Sequence, residues 1–216
     1  MNVLYDQVSH LAVDGLEQIL NARAQVSGPL KDEISRYRPT RMEMEDPQAL
    51  ERIVVLVNLL DGPVILKSGN RGYGLFAHIP LEHAPGDVQD GDFITKYDGV
   101  PSETEEGDYV MENPTNGMLI DGFYGFELRN KGRWINDDRV NFNARVKANW
   151  DIRVRRGRDT RTIQPGEEIL IDYGEYYDRT GWVSCSVCAN AEVRYICEGC
   201  NEKYCSMECA QNFKNK

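Results

Sequence analysis

Between Pro63 and Ile171 the chain is cut by Gly, Pro, Asn and Asp into short β-like runs, and that texture limits the fold more than any other feature. The runs lie at 64–67, 75–78, 93–97, 109–111, 118–121, 143–147, 152–155 and 168–171. Each is too short for a stable helix and is bounded by turn residues, the pattern of small strands. No helix-length segment alternates with them, which argues against a doubly wound nucleotide-binding sheet. Helical spacing appears earlier. Leu4, Val8, Leu11, Leu16, Ile19 and Leu20 predict a helix over 3–24, weakened in its middle by Gly15. Asp46-Pro47 supplies a cap and a first-turn proline for a second helix with Leu50, Ile53, Val54, Leu56 and Val57 on its apolar side, ended by Asp61-Gly62-Pro63. The expectation is an α+β chain, mainly β, with a helical preface.

The tail reads Cys185-x2-Cys188-x8-Cys197-x2-Cys200-x4-Cys205-x3-Cys209. Two CxxC pairs and two further cysteines in so short a segment point to zinc. Such a tail cannot bury a core, so metal ligation would supply much of its folding energy. With 41% hydrophobic and 28% charged residues the chain has the composition of a soluble globular protein. Its longest apolar run, 53–60, is broken by Asn58 and is too short to span a bilayer. No basic-then-apolar leader opens it, so an intracellular protein is expected, in nucleus, cytoplasm or both, and not a secreted or membrane one. In a reducing compartment thiolates on metal are favoured over disulfides.

The net charge of −10 is unevenly placed. Residues 61–120 hold 3 basic and 11 acidic side chains, residues 121–183 hold 12 and 11, and the tail holds 4 of each. An acidic half attracts a basic peptide and repels nucleic acid, so a basic partner and no direct nucleic-acid binding are expected. The run Arg153, Arg155, Arg156, Arg158 and Arg161 could be taken for a nuclear-import or nucleic-acid patch, but lying across a strand and its turn it reads as alternating exposure. His10, His78 and His83 lack acidic or thiol partners at ligand spacing and receive no metal role.

Three segments occur in order: Arg71-Gly72-Tyr73-Gly74-Leu75-Phe76, then Arg133-Trp134-Ile135-Asn136-Asp137, then Gly166-Glu167-Glu168-Ile169-Leu170-Ile171-Asp172-Tyr173-Gly174. Singly, the first two pass for turns. As an ordered set they resemble the SET-domain lysine methyltransferases. That resemblance implies small curved sheets with a C-terminal pseudoknot, and S-adenosylmethionine (SAM) as methyl donor. It implies that Arg71, Gly72, Tyr73 and Gly74 receive the methionine end of SAM, that Asn136 bonds to it, and that the backbone of Asp137 holds the adenine edge. The family's usual histidine is Asp137 here and the next Ser/Cys is Asp138, an exchange that a backbone contact tolerates. Asp92-Phe93-Ile94-Thr95-Lys96-Tyr97-Asp98-Gly99 resembles the strand lining the lysine channel, which assigns Tyr97 to its wall, and Tyr109 would touch the cofactor. Tyr173 would sit where channel and cofactor meet, as the catalytic residue. Ile171 occupies a channel position where the family commonly has Phe or Tyr; without a hydroxyl there, the pocket has room for a di- or trimethylated product.

The cysteine tail resembles a MYND-type finger, whose pattern would place one zinc on Cys185, Cys188, Cys205 and Cys209. Cys197 and Cys200 would then lack the later His and Cys that complete a second site; one zinc with two spare thiols, a truncated finger, or a Cys185/188/197/200 pairing stay open. Trp182 lies where the family covers the adenine. The organisation implied is a helical region 1–62, a SET catalytic domain 63–180 and a zinc module 181–216. The function implied is SAM-dependent lysine methylation of a basic protein, histone tails favoured; the alternative is a degenerate SET and finger adaptor that binds a partner peptide.

Overall fold

The computed structural model describes residues 1–11, 15–69, 71–82, 91–104, 107, 109–113, 116–138, 141–155 and 162–173, together with two short strands in the tail. Its contacts divide into two units. One holds Met1–Ser68 with Gly72–Tyr173, the other Gly69–Arg71 with Gly174–Lys216. In the second unit β11 (Tyr195–Ile196) and β12 (Lys203–Tyr204) pair antiparallel.

The first unit opens with five helices where apolar spacing predicts two: α1 (Asn2–Asp6), α2 (Leu16–Gln25), α3 (Gly28–Arg36), α4 (Arg41–Glu45) and α5 (Pro47–Asn58). The helix expected over 3–24 is interrupted, because Gly15 takes φ +84 and stands as the cap before α2 and not inside it. The two unforeseen helices begin on capping chemistry. Ser27 Oγ accepts from the Leu30 amide with Pro29 in the first turn, and Thr40 and Glu43 form a reciprocal capping box. Asp46 caps α5 through the Gln48 amide, as the Asp-Pro pair predicts.

Ten strands follow in three small sheets. β1 (Val64–Lys67), β2 (Tyr73–Phe76), β7 (Asn136–Asp137) and β10 (Glu168–Ile171) form one, in the order β1-β2-β10-β7. β3 (Phe93–Lys96), β9 (Asp151–Val154) and β8 (Ala144–Val146) form the second, and β4 (Val100–Pro101), β6 (Leu119–Asp121) and β5 (Val110–Glu112) the third. The α+β, mainly β class is therefore observed. All eight β-like runs fall on strands, whereas β4 and β7 are too short to carry a pattern. β10 is antiparallel to β2 but parallel to β7, so it lies between two segments far from it in sequence. The C-terminal pseudoknot concerns the chain after Tyr173, which lies outside the described residues. No helix among the described residues is long and apolar enough to cross a membrane.

Helices and sheets share one core. Ile53, Leu56 and Val57 of α5 pack with Ile65, Leu75, Ile169 and Ile171. Asn58, which breaks the apolar run, is buried and completes the join: its side-chain amide donates to the Ile65 carbonyl (2.8 Å) and accepts the Ile65 amide (2.7 Å), standing in for a neighbouring strand. The turn after it is held by two buried cations. Arg23 donates to the carbonyls of Asn58 (2.6 Å), Gly62 (2.8 Å) and Pro63 (3.2 Å); Lys131 Nζ donates to those of Leu60 (3.1 Å) and Pro63 (2.7 Å). Burial lowers both pKa values, that of Arg23 to about 10 and that of Lys131 well below the ordinary lysine value. Arg23→Ala removes the clamp from the Asn58 and Gly62 carbonyls, while that of Pro63 keeps Lys131, and is expected to lower the unfolding free energy by about 2–4 kcal/mol. The measurement is a urea midpoint at unchanged slope; a wild-type midpoint would show that the clamp adds nothing.

Candidate active site

The four-stranded sheet brings the three ordered segments together. Glu168, at the start of β10, is the hub: its Oε1 accepts from Ser68 Oγ at 2.7 Å and from Asn136 Nδ2 at 2.7 Å. The same Nδ2 donates to the Tyr73 carbonyl at 3.2 Å. One carboxylate oxygen and one amide therefore tie β1, β2, β7 and β10 at a single point. Gly74 is required there, since a Cβ would collide with Glu168 Oε1 and lie 2.9 Å from Ser68 Cβ and 3.0 Å from Asn136 Nδ2. Gly72 differs. It is exposed with φ +78, and a Cβ would meet nothing within 4 Å among the described residues, so its glycine serves the turn.

Tyr173 is fixed at both ends. Its phenol donates to the Ile135 carbonyl, and its amide donates to Asp137 Oδ1 at 2.7 Å. The hydroxyl thus lies one residue from Asn136. Asp137 Oδ1 holds the tyrosine's backbone, a role that a neutral imidazole nitrogen could also fill as acceptor. This gives the departure at 137 a physical use.

Tyr97 and Tyr109 form a second layer. Tyr97 is 4% exposed, and its hydroxyl donates to the Tyr109 carbonyl at 2.5 Å, which also accepts the Gly122 amide at 2.9 Å. A Cβ on Gly122 would lie 2.6 Å from the Tyr97 hydroxyl oxygen. Under the half-buried Tyr109 ring sits Arg133, its guanidinium carbon 4.4 Å from that ring centroid and 4.5 Å from Trp134. Arg133 is 5% exposed, donates to the Phe123 carbonyl at 2.8 Å, and has its pKa lowered by burial. Four rings around one guanidinium stiffen the segment that leads into Asn136.

Of the residues singled out from sequence, Gly72, Tyr73, Gly74, Asn136, Asp137 and Tyr173 meet through direct bonds or adjacent positions. Tyr97 and Tyr109 pair with each other. Ile171 is 1% exposed and packs in the core, paired with Asp137 across β10 and β7. Arg71 is grouped with the second unit; Trp182 and the six cysteines lie outside the described residues. Sequence reasoning passed over Ser68 and the Asp137 carboxylate; Glu168 and Asn143 belong to the quoted motifs but were given no role of their own. The side chain of Asn143 accepts the Leu170 amide (2.8 Å) and donates to the Glu168 carbonyl (2.9 Å). A cavity of about 450 Å³ elsewhere, walled by His78, Ile79, Phe93 and Asn130 among others, includes none of the expected site residues.

Comparison with known proteins adds three findings. Residues 183–211 match the HIT zinc finger family. That span encloses all six cysteines; the match is to the HIT finger and not to the MYND finger that their texture resembles. No curated protein matches the chain. Among solved structures, KRYPTONITE with mCHH DNA, an H3(1–15) peptide and SAH shares 17% identity over 65% of this chain and 29% of its own, at a TM-score of 0.41. The polycomb repressive complex 2 of Chaetomium thermophilum shares 23% over 57% and 16%, at 0.40. The chain spans under a third of the length of either. At such low identity and TM-score these likenesses decide nothing about the site.

The geometry separates the two glycines by experiment. Gly74→Ala must displace a carboxylate and an amide inside a packed sheet, and is expected to cost about 2–3 kcal/mol. Gly72→Ala carries only the backbone penalty, about 1 kcal/mol. Equal thermal shifts for the two would contradict the hub at Glu168.

Proposed function

We propose that the protein is a SAM-dependent protein-lysine N-methyltransferase acting on a basic protein, with histone tails the favoured substrate. The observation that carries the reading is the meeting of three distant segments: the Tyr173 phenol on the Ile135 carbonyl, next to Asn136, which itself bonds to Tyr73. A catalytic tyrosine, a glycine bend and an asparagine in register are what such a site needs. The residues fit the cofactor. Gly72 adds no side chain at the bend, and Asn136, with its Nδ2 on Glu168 and Tyr73, carries an amide oxygen that would accept from the amine or ammonium end of the cofactor. SAM, when bound, supplies an electrophilic methyl on sulfonium.

The chain's part is positioning and desolvation. A substrate lysine arrives protonated, since its free pKa is about 10.4. An aromatic wall disfavours the ammonium by excluding water, and the proton leaves to solvent before attack. The Tyr173 hydroxyl, whose hydrogen is directed at the Ile135 carbonyl, would orient the amine N–H and the polarised methyl C–H through its oxygen. Tyr97, its hydroxyl turned into the Tyr109 carbonyl, presents its ring. Alignment of this kind supplies several kcal/mol of a barrier. The deficit of positive charge over 61–120 favours a Lys/Arg-rich substrate. The apolar Ile171 favours di- or trimethylation, with mass spectrometry of the product as its check.

In the tail, one zinc on Cys185, Cys188, Cys205 and Cys209 is the reading we favour, with Cys197 and Cys200 as spare thiols. Purified protein is expected to contain one zinc per chain by elemental analysis; none would remove the metal site, and two would remove this pairing.

The adaptor alternative rests on the acidic exchange at Asp137 and Asp138 and on the incomplete cysteine finger. A SAM titration separates the two readings. An enzyme is expected to gain thermal stability with rising SAM, whereas an adaptor shows no shift. Tyr173→Phe is expected to cut turnover about tenfold or more with SAM affinity nearly intact. Wild-type rates in that variant would take Tyr173 out of the chemistry.

A further inference from the structure

The outer face of the β3-β9-β8 sheet has no part in the site, and its chemistry differs from the rest of the surface. Along β9, Ile152 and Val154 point into the core, so Arg153 and, beyond the strand, Arg155 share the outward side. Arg145 of β8 lies directly opposite Arg153 in register, and Phe93 of β3 lies opposite Arg153 on its other flank. The Arg153 guanidinium stands 5.6 Å over the Phe93 ring, and that of Arg155 stands 3.7 Å over Phe142. Phe93 is 51% exposed and Arg145 is exposed. Lys96 and Lys147 continue the face around one carboxylate, Asp151, which is 3.5 Å from Arg153.

Two arginines directly opposite each other lower the stability of a strand pair, and an exposed phenylalanine gains nothing from water. A flat strand face with guanidiniums laid on rings suits one class of ligand. Phosphates pair with the cations, and unstacked bases lie on the rings and on the outer planes of the guanidiniums. An acidic peptide would use the charges and leave the rings idle. Duplex DNA would bury its base faces and do the same.

We propose that this face binds single-stranded nucleic acid, against the expectation set by the chain's net acidity. Lys96, Arg145, Lys147, Arg153 and Arg155 lie on or beside this face with Asp151 and Asp92, and charges farther off are screened beyond roughly 8–10 Å at physiological salt. The proposal stands independently of the methyltransferase reading.

The test is fluorescence anisotropy of the full chain with a labelled, mixed-sequence single strand of roughly 20 nucleotides across a salt series. Binding is expected, with affinity falling as salt rises. Arg145→Glu/Arg153→Glu is expected to weaken it about tenfold or more and to flatten the salt slope by about one to two. Phe93→Ala is expected to weaken it severalfold with the slope unchanged, a split that a purely electrostatic patch would not give. Arg41→Glu, on an exposed helix away from this face, should leave binding unaltered. The milder Arg145→Gln/Arg153→Gln replaces the charge reversal if thermal melting shows misfolding. The proposal is overturned by no binding, by unchanged affinity in either double variant, by unchanged affinity in Phe93→Ala, or by a poly-glutamate peptide or the matching duplex binding as tightly.

Discussion

Asn143 holds the middle of β10. Its side chain takes the Leu170 amide and gives a hydrogen to the Glu168 carbonyl, while its own amide bonds to the Leu170 carbonyl at 3.1 Å. With β2 on one flank and β7 on the other, β10 is then satisfied along nearly its whole backbone. Strand position matters here more than strand strength. Because Glu168 is fixed, its carboxylate can gather Ser68 and Asn136, and because Ile171 is fixed, Tyr173 emerges where Asp137 and the Ile135 carbonyl can hold it. A short strand kept in place by side-chain amides therefore sets the geometry of the entire candidate site.

The second layer shows how an unfavourable backbone is tolerated beside it. Trp150 has φ +67, a conformation that costs an L-residue about 1–2 kcal/mol. It is nevertheless buried, its ring centroid lies 6.2 Å from that of Tyr97, and its carbonyl accepts the Tyr97 amide at 2.9 Å. The strained turn thus fixes the backbone and the ring of Tyr97 together. Gly122 removes the obstacle on the other side. Between them the phenol has one place to go, against the Tyr109 carbonyl.

Much of this was readable from residues alone, and the unread parts have physical causes. Strands such as Val64–Lys67 and Glu168–Ile171 announce themselves by β-branched, bounded runs. Helices α3 and α4 do not: Ile34 and Met44 are their sole buried residues, too few to make a period. Their signal was in the caps, Ser27 ahead of Pro29 and Thr40 ahead of Glu43. Tyr173, Asn136 and Gly74 were legible through family resemblance, but Glu168 as their common partner was not. It lies 100 residues from Ser68 and 32 from Asn136, and nothing local distinguishes its carboxylate from that of Glu167. Arg133 was quoted within its motif, yet its enclosure by four rings arises only when β5, β6 and the 3-10 turn Gly132–Trp134 are packed.

The buried ionisable side chains among the described residues, Arg23, Lys131 and Arg133, are all basic, in a molecule that carries ten surplus negative charges. Two carboxylates reach these groups: Asp61 acts on both Arg23 and Lys131, and Asp121 on Arg133, each raising what burial lowers. A change confined to the exposed Asp61, such as Asp61→Asn, would therefore be felt at two buried sites that it does not touch.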